Sequence, residues 1–168
     1  MSRRENPCHN GTVIAADPID AALAAHRWDE ALRLIDGAGR SGWTPPLLEQ
    51  RALAAYGAGD FEGAVGAWED QHHLLLRLDD PAGAGRAAAM VAMFLMIDTG
   101  LMAPVRGWIR RAEALLSQGP REPAHALVAA VRTYERFMCG DLEEALRQAE
   151  QAIRSEEHTS ELQSRGLI

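Results

Sequence analysis

The chain predicts an all-α fold, an α-α superhelix built from antiparallel helix pairs, and three observations carry that expectation. Four segments repeat one apolar spacing, i, i+3 or i+4, i+7, which is the stripe of an amphipathic helix. The junctions before two of them are nearly identical, Gly59-Asp60-Phe61 and Gly140-Asp141-Leu142, with Gly100-Leu101-Met102 in the corresponding place. The segments between open on a polar residue followed by Pro: Asp17-Pro18, Thr44-Pro45 and Asp80-Pro81. Proline is tolerated in the first helical turn, where its missing N–H costs nothing, and the residue before it caps. No alternating run flanked by hairpin signals reads as a strand.

In chain order, Asp17-Pro18 opens a helix over 18–26. Trp28, Ala31, Leu32 and Ile35 form the stripe of a second over 28–38, and Thr44-Pro45 opens a third over 45–58. Gly59 closes that helix in a left-handed conformation, and Asp60 caps the next, 60–78, whose stripe is Phe61, Ala64, Val65 and Trp68. Asp80-Pro81 opens a helix over 81–99. Met102, Val105, Trp108 or Ile109, and Ala112 mark 102–118. A further helix spans 122–139. The last, 141–153, carries Leu142, Ala145, Leu146 and Ala149, with Asp141 and Glu144 expected as a capping box. Trp28, Phe61, Trp68, Trp108 and Leu142 are expected to face the core. Ala31, Ala64 and Ala145 are expected where two helices approach closely.

Residues 154–168 read differently. Arg154 to Ser164 spell, over eleven consecutive residues, the in-frame translation of a common short-read sequencing adapter. The expectation is a natural frame broken near Ile153, a C-terminally truncated array, and a tail that is not native sequence. Its good helix formers predict that the final helix runs on through it by local propensity alone. The apolar face around Leu127, Val131 and Leu146 is then expected to be left partly open, which invites self-association. Residues 1–16 are expected to be disordered or a non-native start, leaving 17–153 as one helical domain of about four helix pairs.

Composition narrows the function classes. The net charge of −7 becomes −6 without the tail, which holds two Arg and three Glu. That balance argues against a phosphate-contacting basic face and against a polybasic membrane patch. All seventeen basic residues are Arg, a usage that fits a GC-rich genome. Cys8 and Cys139 stand far apart, without zinc or disulfide-framework spacing, and are expected as reduced thiols in a cytoplasmic protein. No signal peptide is visible. The longest apolar run, 87–97, is too short to span a bilayer.

The stripes start 33, 41 and 40 residues apart, the first close to the period of about 34 in tetratricopeptide repeats. With Phe61, Ala64 and Trp68, and with Leu48, Ala52 and Ala55 on the preceding helix, the chain resembles the tetratricopeptide family; Thr133 and Arg136 depart from its pattern. A narrower resemblance rests on Asp79-Asp80-Pro81, Gly85-Arg86-Ala87-Ala88 and Arg106 to Leu116. These look like the helical-repeat region of large actinobacterial LuxR-type transcriptional regulators; similar repeats accompany some bacterial nucleotide cyclases. The resemblance implies a non-catalytic interaction or sensing module, with a DNA-binding helix-turn-helix lying beyond Ile153. The alternatives are a stand-alone scaffold for partner peptides and the regulatory region of a cyclase.

No sequence motif carries catalysis, a cofactor or a metal. HExxH, CxxC, GxSxG and P-loop patterns are missing, and Gly83-Ala84-Gly85 follows no strand. His72 and His73 are adjacent, so on a helix they point apart; His72 falls on the apolar stripe and is expected as a satisfied core histidine. His26 and His125 lack ligand spacing. Asp29-Glu30, Asp79-Asp80 and Glu143-Glu144 sit at helix ends, where they compensate the dipole. Met90, Met93 and Met96, with Phe94, Leu95 and Ile97, mark a central buried helix. Stacked pairs create a concave groove lined by the first helix of each pair. Arg51, Arg86 and Arg132 lie on those helices and are the candidate groove contacts for a protein or peptide partner. A carboxylate clamp of the family's type needs Lys and Asn, and the repeats contain neither.

Overall fold

The computed structural model describes residues 17–117, 119–120 and 123–164, the side chains of 152 and 155–164 excepted. Among these, eight α-helices and a short 3-10 turn over Arg40–Gly42 account for the regular structure, and no strand occurs. The helices are α1 (Pro18–Ala24), α2 (Trp28–Gly37), α3 (Pro45–Gly57), α4 (Phe61–Arg77), α5 (Pro81–Asp98), α6 (Met102–Leu116), α7 (Pro123–Met138) and α8 (Leu142–Ser164). Each packs on its neighbour in sequence, and α5 also packs on α7. The expected boundaries hold to within about two residues, apart from α8, which continues as far as Ser164.

Repeated local chemistry makes the corners. At Gly59 (φ 81°) and Gly140 (φ 78°) the chain turns left-handed. The amide three residues past the helix reaches back to close it: Asp60 N–H to Ala55 O at 2.9 Å, and Asp141 N–H to Arg136 O at 3.0 Å. The same closure recurs without glycine at His26 (φ 56°) and Asp79 (φ 57°), where Arg27 N–H meets Ala22 O at 2.9 Å and Asp80 N–H meets Leu75 O at 3.0 Å. A side chain there works against the Cβ clash of the left-handed region. Asp60 and Asp80 then cap, each accepting an N–H three residues on, from Gly63 and Gly83, at 2.8 Å. Asp141 caps Glu144 N–H at 3.3 Å, but the expected capping box is only half formed. The Glu144 carboxylate is taken by Arg147 and Gln148, and the Asp141 N–H is already spent on Arg136.

Two adjoining clusters form most of the core. In the first, Ala52 and Ala55 of α3 and Ala64, Ala67, Trp68 and Leu75 of α4 pack with Ala84, Ala87, Val91 and Phe94 of α5. In the second, the opposite side of α5 packs with Val105, Ile109, Ala112 and Leu116 of α6 and Val128 and Val131 of α7. Helix α5 is therefore central; of its Met-rich run Phe94 and Met96 are buried and Met90, Met93 and Leu95 half-buried, but Ile97, near the end of the helix, is exposed, against expectation. Small residues permit the close approach. A Cβ on Gly85 would stand 3.0 Å from Leu116 Cγ, and Ala31, Ala64 and Ala145 are all buried.

The aromatic expectations divide. Trp68 is buried, and Trp28, Phe61 and Trp108 are half-buried. Leu142 is not a core residue: it is 55% exposed. It stands in the register of Phe61, but among the described residues no helix covers the α7/α8 pair as α5 covers α3/α4. Val131 also departs from expectation, being fully buried between α7 and the α5/α6 pair, with Leu127 half-buried beside it. The open face lies around α7 from there, at Tyr134 and Phe137, and reaches Leu146 on α8.

Candidate functional site

Each of the three arginines expected along the groove is held by its own chain. Arg51 Nε donates to Asp36 Oδ1 at 3.0 Å, and its guanidinium lies 5.3 Å from the Trp43 ring centroid. Arg40 also lies over Trp43, at 5.2 Å, so two cations share one indole. Arg86 of α5 donates to Glu49 of α3 and lies 5.6 Å from the Trp68 ring. Arg132 forks onto Glu113 of α6, with Nε and Nη2 each 2.6 Å from a carboxylate oxygen. The planar fork makes this last pair the best oriented of the three. The three pairs tie α3 to α2, α5 to α3 and α7 to α6. An acidic ligand at any of them has to compete with a carboxylate already in place.

His72 is a satisfied core histidine. It is almost fully buried, its Nδ1 lies 2.9 Å from Ala84 O, and its ring packs edge-on to Trp108 at 5.2 Å. Burial pushes its pKa below the ordinary 6.5; the Ala84 hydrogen bond opposes this, and the charges of His73 and Arg111 add to it. His26 packs edge-on to Trp28, and His125 Nε2 lies 3.2 Å from Leu116 O. No group of three His, Cys, Asp or Glu with metal-holding geometry occurs among the described residues.

Sequence reasoning missed Glu135, a carboxylate buried to within 1% on α7. It accepts Arg106 Nε at 2.6 Å and lies 3.5 Å from both Arg136 Nε and Cys139 Sγ, while Arg106 Nη2 reaches that sulfur at 3.2 Å. Desolvation pushes the Glu135 carboxyl up, but the hydrogen bonds from Arg106 and Cys139 and the two cations outweigh it, leaving it below the ordinary carboxylate range. Its signal in sequence was the register: Glu135 occupies the position of Ala54, a buried residue of α3, one turn before the Gly-Asp corner.

An apolar groove of about 640 Å³ lies between α7 and α8. Thr133, Tyr134 and Phe137 form one wall and Leu142, Leu146 and Ile153 the other, with Ala145 and Ala149 at the floor. It offers shape and apolar surface, with no titratable side chain among its lining except the Tyr134 phenol. That suits packing against another helix better than chemistry. No helix among the described residues is long and apolar enough to cross a membrane. Comparison with known sequence families, curated proteins and solved structures finds no match to this chain.

Proposed function

We propose that residues 17–153 are a tetratricopeptide-like superhelical module that works by non-catalytic protein interaction or sensing, carried by a larger cytoplasmic bacterial transcriptional regulator. One observation carries the repeat reading. Shifting the sequence by 81 residues lays the α7/α8 pair on the α3/α4 pair, with Gly59-Asp60 falling on Gly140-Asp141 and Ala64 on Ala145, both buried. The packing of α5 on both α4 and α7 is what a row of such pairs requires. Non-catalytic action is supported by the positive roles found for the polar residues: Asp60 and Asp80 cap, His72 holds Ala84, and Arg51, Arg86 and Arg132 tie helix to helix. The regulator assignment rests on the sequence resemblance alone. Recovering the unbroken gene from the same DNA and reading the codons downstream of Ile153 tests it. A basic helix-turn-helix is the expected result. A stop after one capping helix would favour the stand-alone scaffold, and a catalytic domain would favour the cyclase.

A further inference from the structure

Helices α4 and α6 lie side by side, with the His72 ring of one edge-on to Trp108 of the other. Along α4 and α5 the contacts run in opposite senses, His72 meeting Ala84 and Trp68 meeting Phe94, so α5 runs against α4. It returns into α6 the same way, through the corner at Gly100, and α4 and α6 therefore point in one direction. A Cβ on Gly83 would stand 3.1 Å from Leu75 Cδ2, and one on Gly85 3.0 Å from Leu116 Cγ. Leu75 and Leu116 are thus level to within about one helical turn. A shift of 41 residues superposes the buried faces of the two helices: Ala64, Trp68 and Leu75 fall on Val105, Ile109 and Leu116.

On the outward faces the same shift reverses the charge. Glu69 and Asp70 of α4, both half-buried, fall on Arg110 and Arg111 of α6, both exposed. The larger side chains also meet smaller ones, Glu62 falling on Ala103 and His73 on Ala114. Among the described residues Glu62, Glu69 and Asp70 have no ion pair. No carboxylate holds Arg110 or Arg111 either: the first bonds the Arg106 carbonyl and the second lies over Trp108. Arg77, the one cation of the last turn of α4, falls past the end of α6 under this shift. A partner for either face needs the opposite charges at the same spacing, and the chain itself supplies them on the other. We propose that the two faces pair between two copies of this chain, α4 of each lying along α6 of the other. A two-fold axis parallel to the helices and midway between them does this. It keeps their direction and level, and sets Glu69 and Asp70 of each copy against Arg110 and Arg111 of the other. The contact is isologous and closes at a dimer.

Sedimentation velocity of the full chain across the micromolar range tests it. The expected result is a dimer whose dissociation constant rises at least about tenfold between about 50 and 500 mM sodium chloride, because salt screens exposed charges. Two double variants sharpen the test. Glu69→Arg with Asp70→Arg makes both faces basic, and Arg110→Glu with Arg111→Glu makes both acidic. Each should be monomeric alone. Mixed, they should form a heterodimer, since every facing pair is then opposite in charge. A parent chain that stays monomeric, or a dimer indifferent to salt, would overturn the proposal. A dimer formed by either double variant alone would place the contact elsewhere and overturn it too, as would a mixture that fails to associate while both variants keep their helical circular dichroism. The salt series on the parent needs no substitution and decides the matter where a variant unfolds.

Discussion

Trp28 of α2 lies directly against Gly57 of α3: a Cβ built on Gly57 would collide with the six-membered ring of the Trp28 indole. The contact fastens the first helices to the rest of the array. Gly57→Ala should therefore destabilise despite its better helix propensity, by about 1–3 kcal/mol from overpacking. Gly66, inside α4 with open space around its Cα, is the control; Gly66→Ala should stabilise by about 0.5–1 kcal/mol. Urea denaturation of the two variants gives opposite signs, and equal signs would contradict the close approach at Trp28.

Ala64 is fully buried beneath α5. Ala64→Leu should overpack this site and cost roughly 1–3 kcal/mol. An unchanged melting midpoint would contradict the small-residue requirement.

The left-handed corners make a second paired test. Asp79→Gly should stabilise by about 0.5–1 kcal/mol, since glycine adopts the observed φ without a Cβ clash. Gly140→Ala should cost about 1 kcal/mol for the converse reason. Thermal melts of both variants measure the two signs.

Much of the fold was legible because the signals were local and redundant. A Gly-Asp corner, a Pro at the first helical position and an apolar stripe each mark a helix end or face, and together they placed the helices to within about two residues. What was not legible depended on partners distant in sequence. Leu142 has the stripe position of a core residue, but among the described residues no helix covers it, and it is exposed. Glu135 looks like a surface carboxylate until Arg106, from the previous helix, is brought against it. Arg51, Arg86 and Arg132 fall on helices the sequence predicts, but their carboxylate partners, Asp36, Glu49 and Glu113, lie 15, 37 and 19 residues away.

Acid should destabilise the chain in two steps. His72 has a folded pKa below 6.5, so the unfolded chain takes up a proton first. Its contribution is complete above 6.5 and declines as pH falls from there toward the folded value. Glu135, also lowered, contributes fully above the ordinary 4.5 and loses that contribution as pH falls further, through its folded value. In His72→Phe the decline just below pH 6.5 should flatten, whereas Glu135→Gln should flatten only the more acidic limb. Urea midpoints measured against pH separate them, and a His72→Phe curve parallel to the parent would contradict the first step.

The helix over 154–164 continues α8 but has good helix formers and few large apolar residues to bury. Deleting 154–168 should change the stability of the monomer by no more than about 0.5 kcal/mol. A large loss in the melting midpoint would make the tail part of the fold.

Residue-resolved amide hydrogen exchange tests most directly whether the chain is a row of helix pairs centred on α5 and open at α8. In a quasi-linear array, protection depends on how many neighbours cover each helix. The expected result is slowest exchange at Ala87 to Phe94 of α5, weaker protection in α7, and rapid exchange in α8 beyond Ile153. Protection in 154–164 equal to that of α5, or fast exchange along α5, would contradict it.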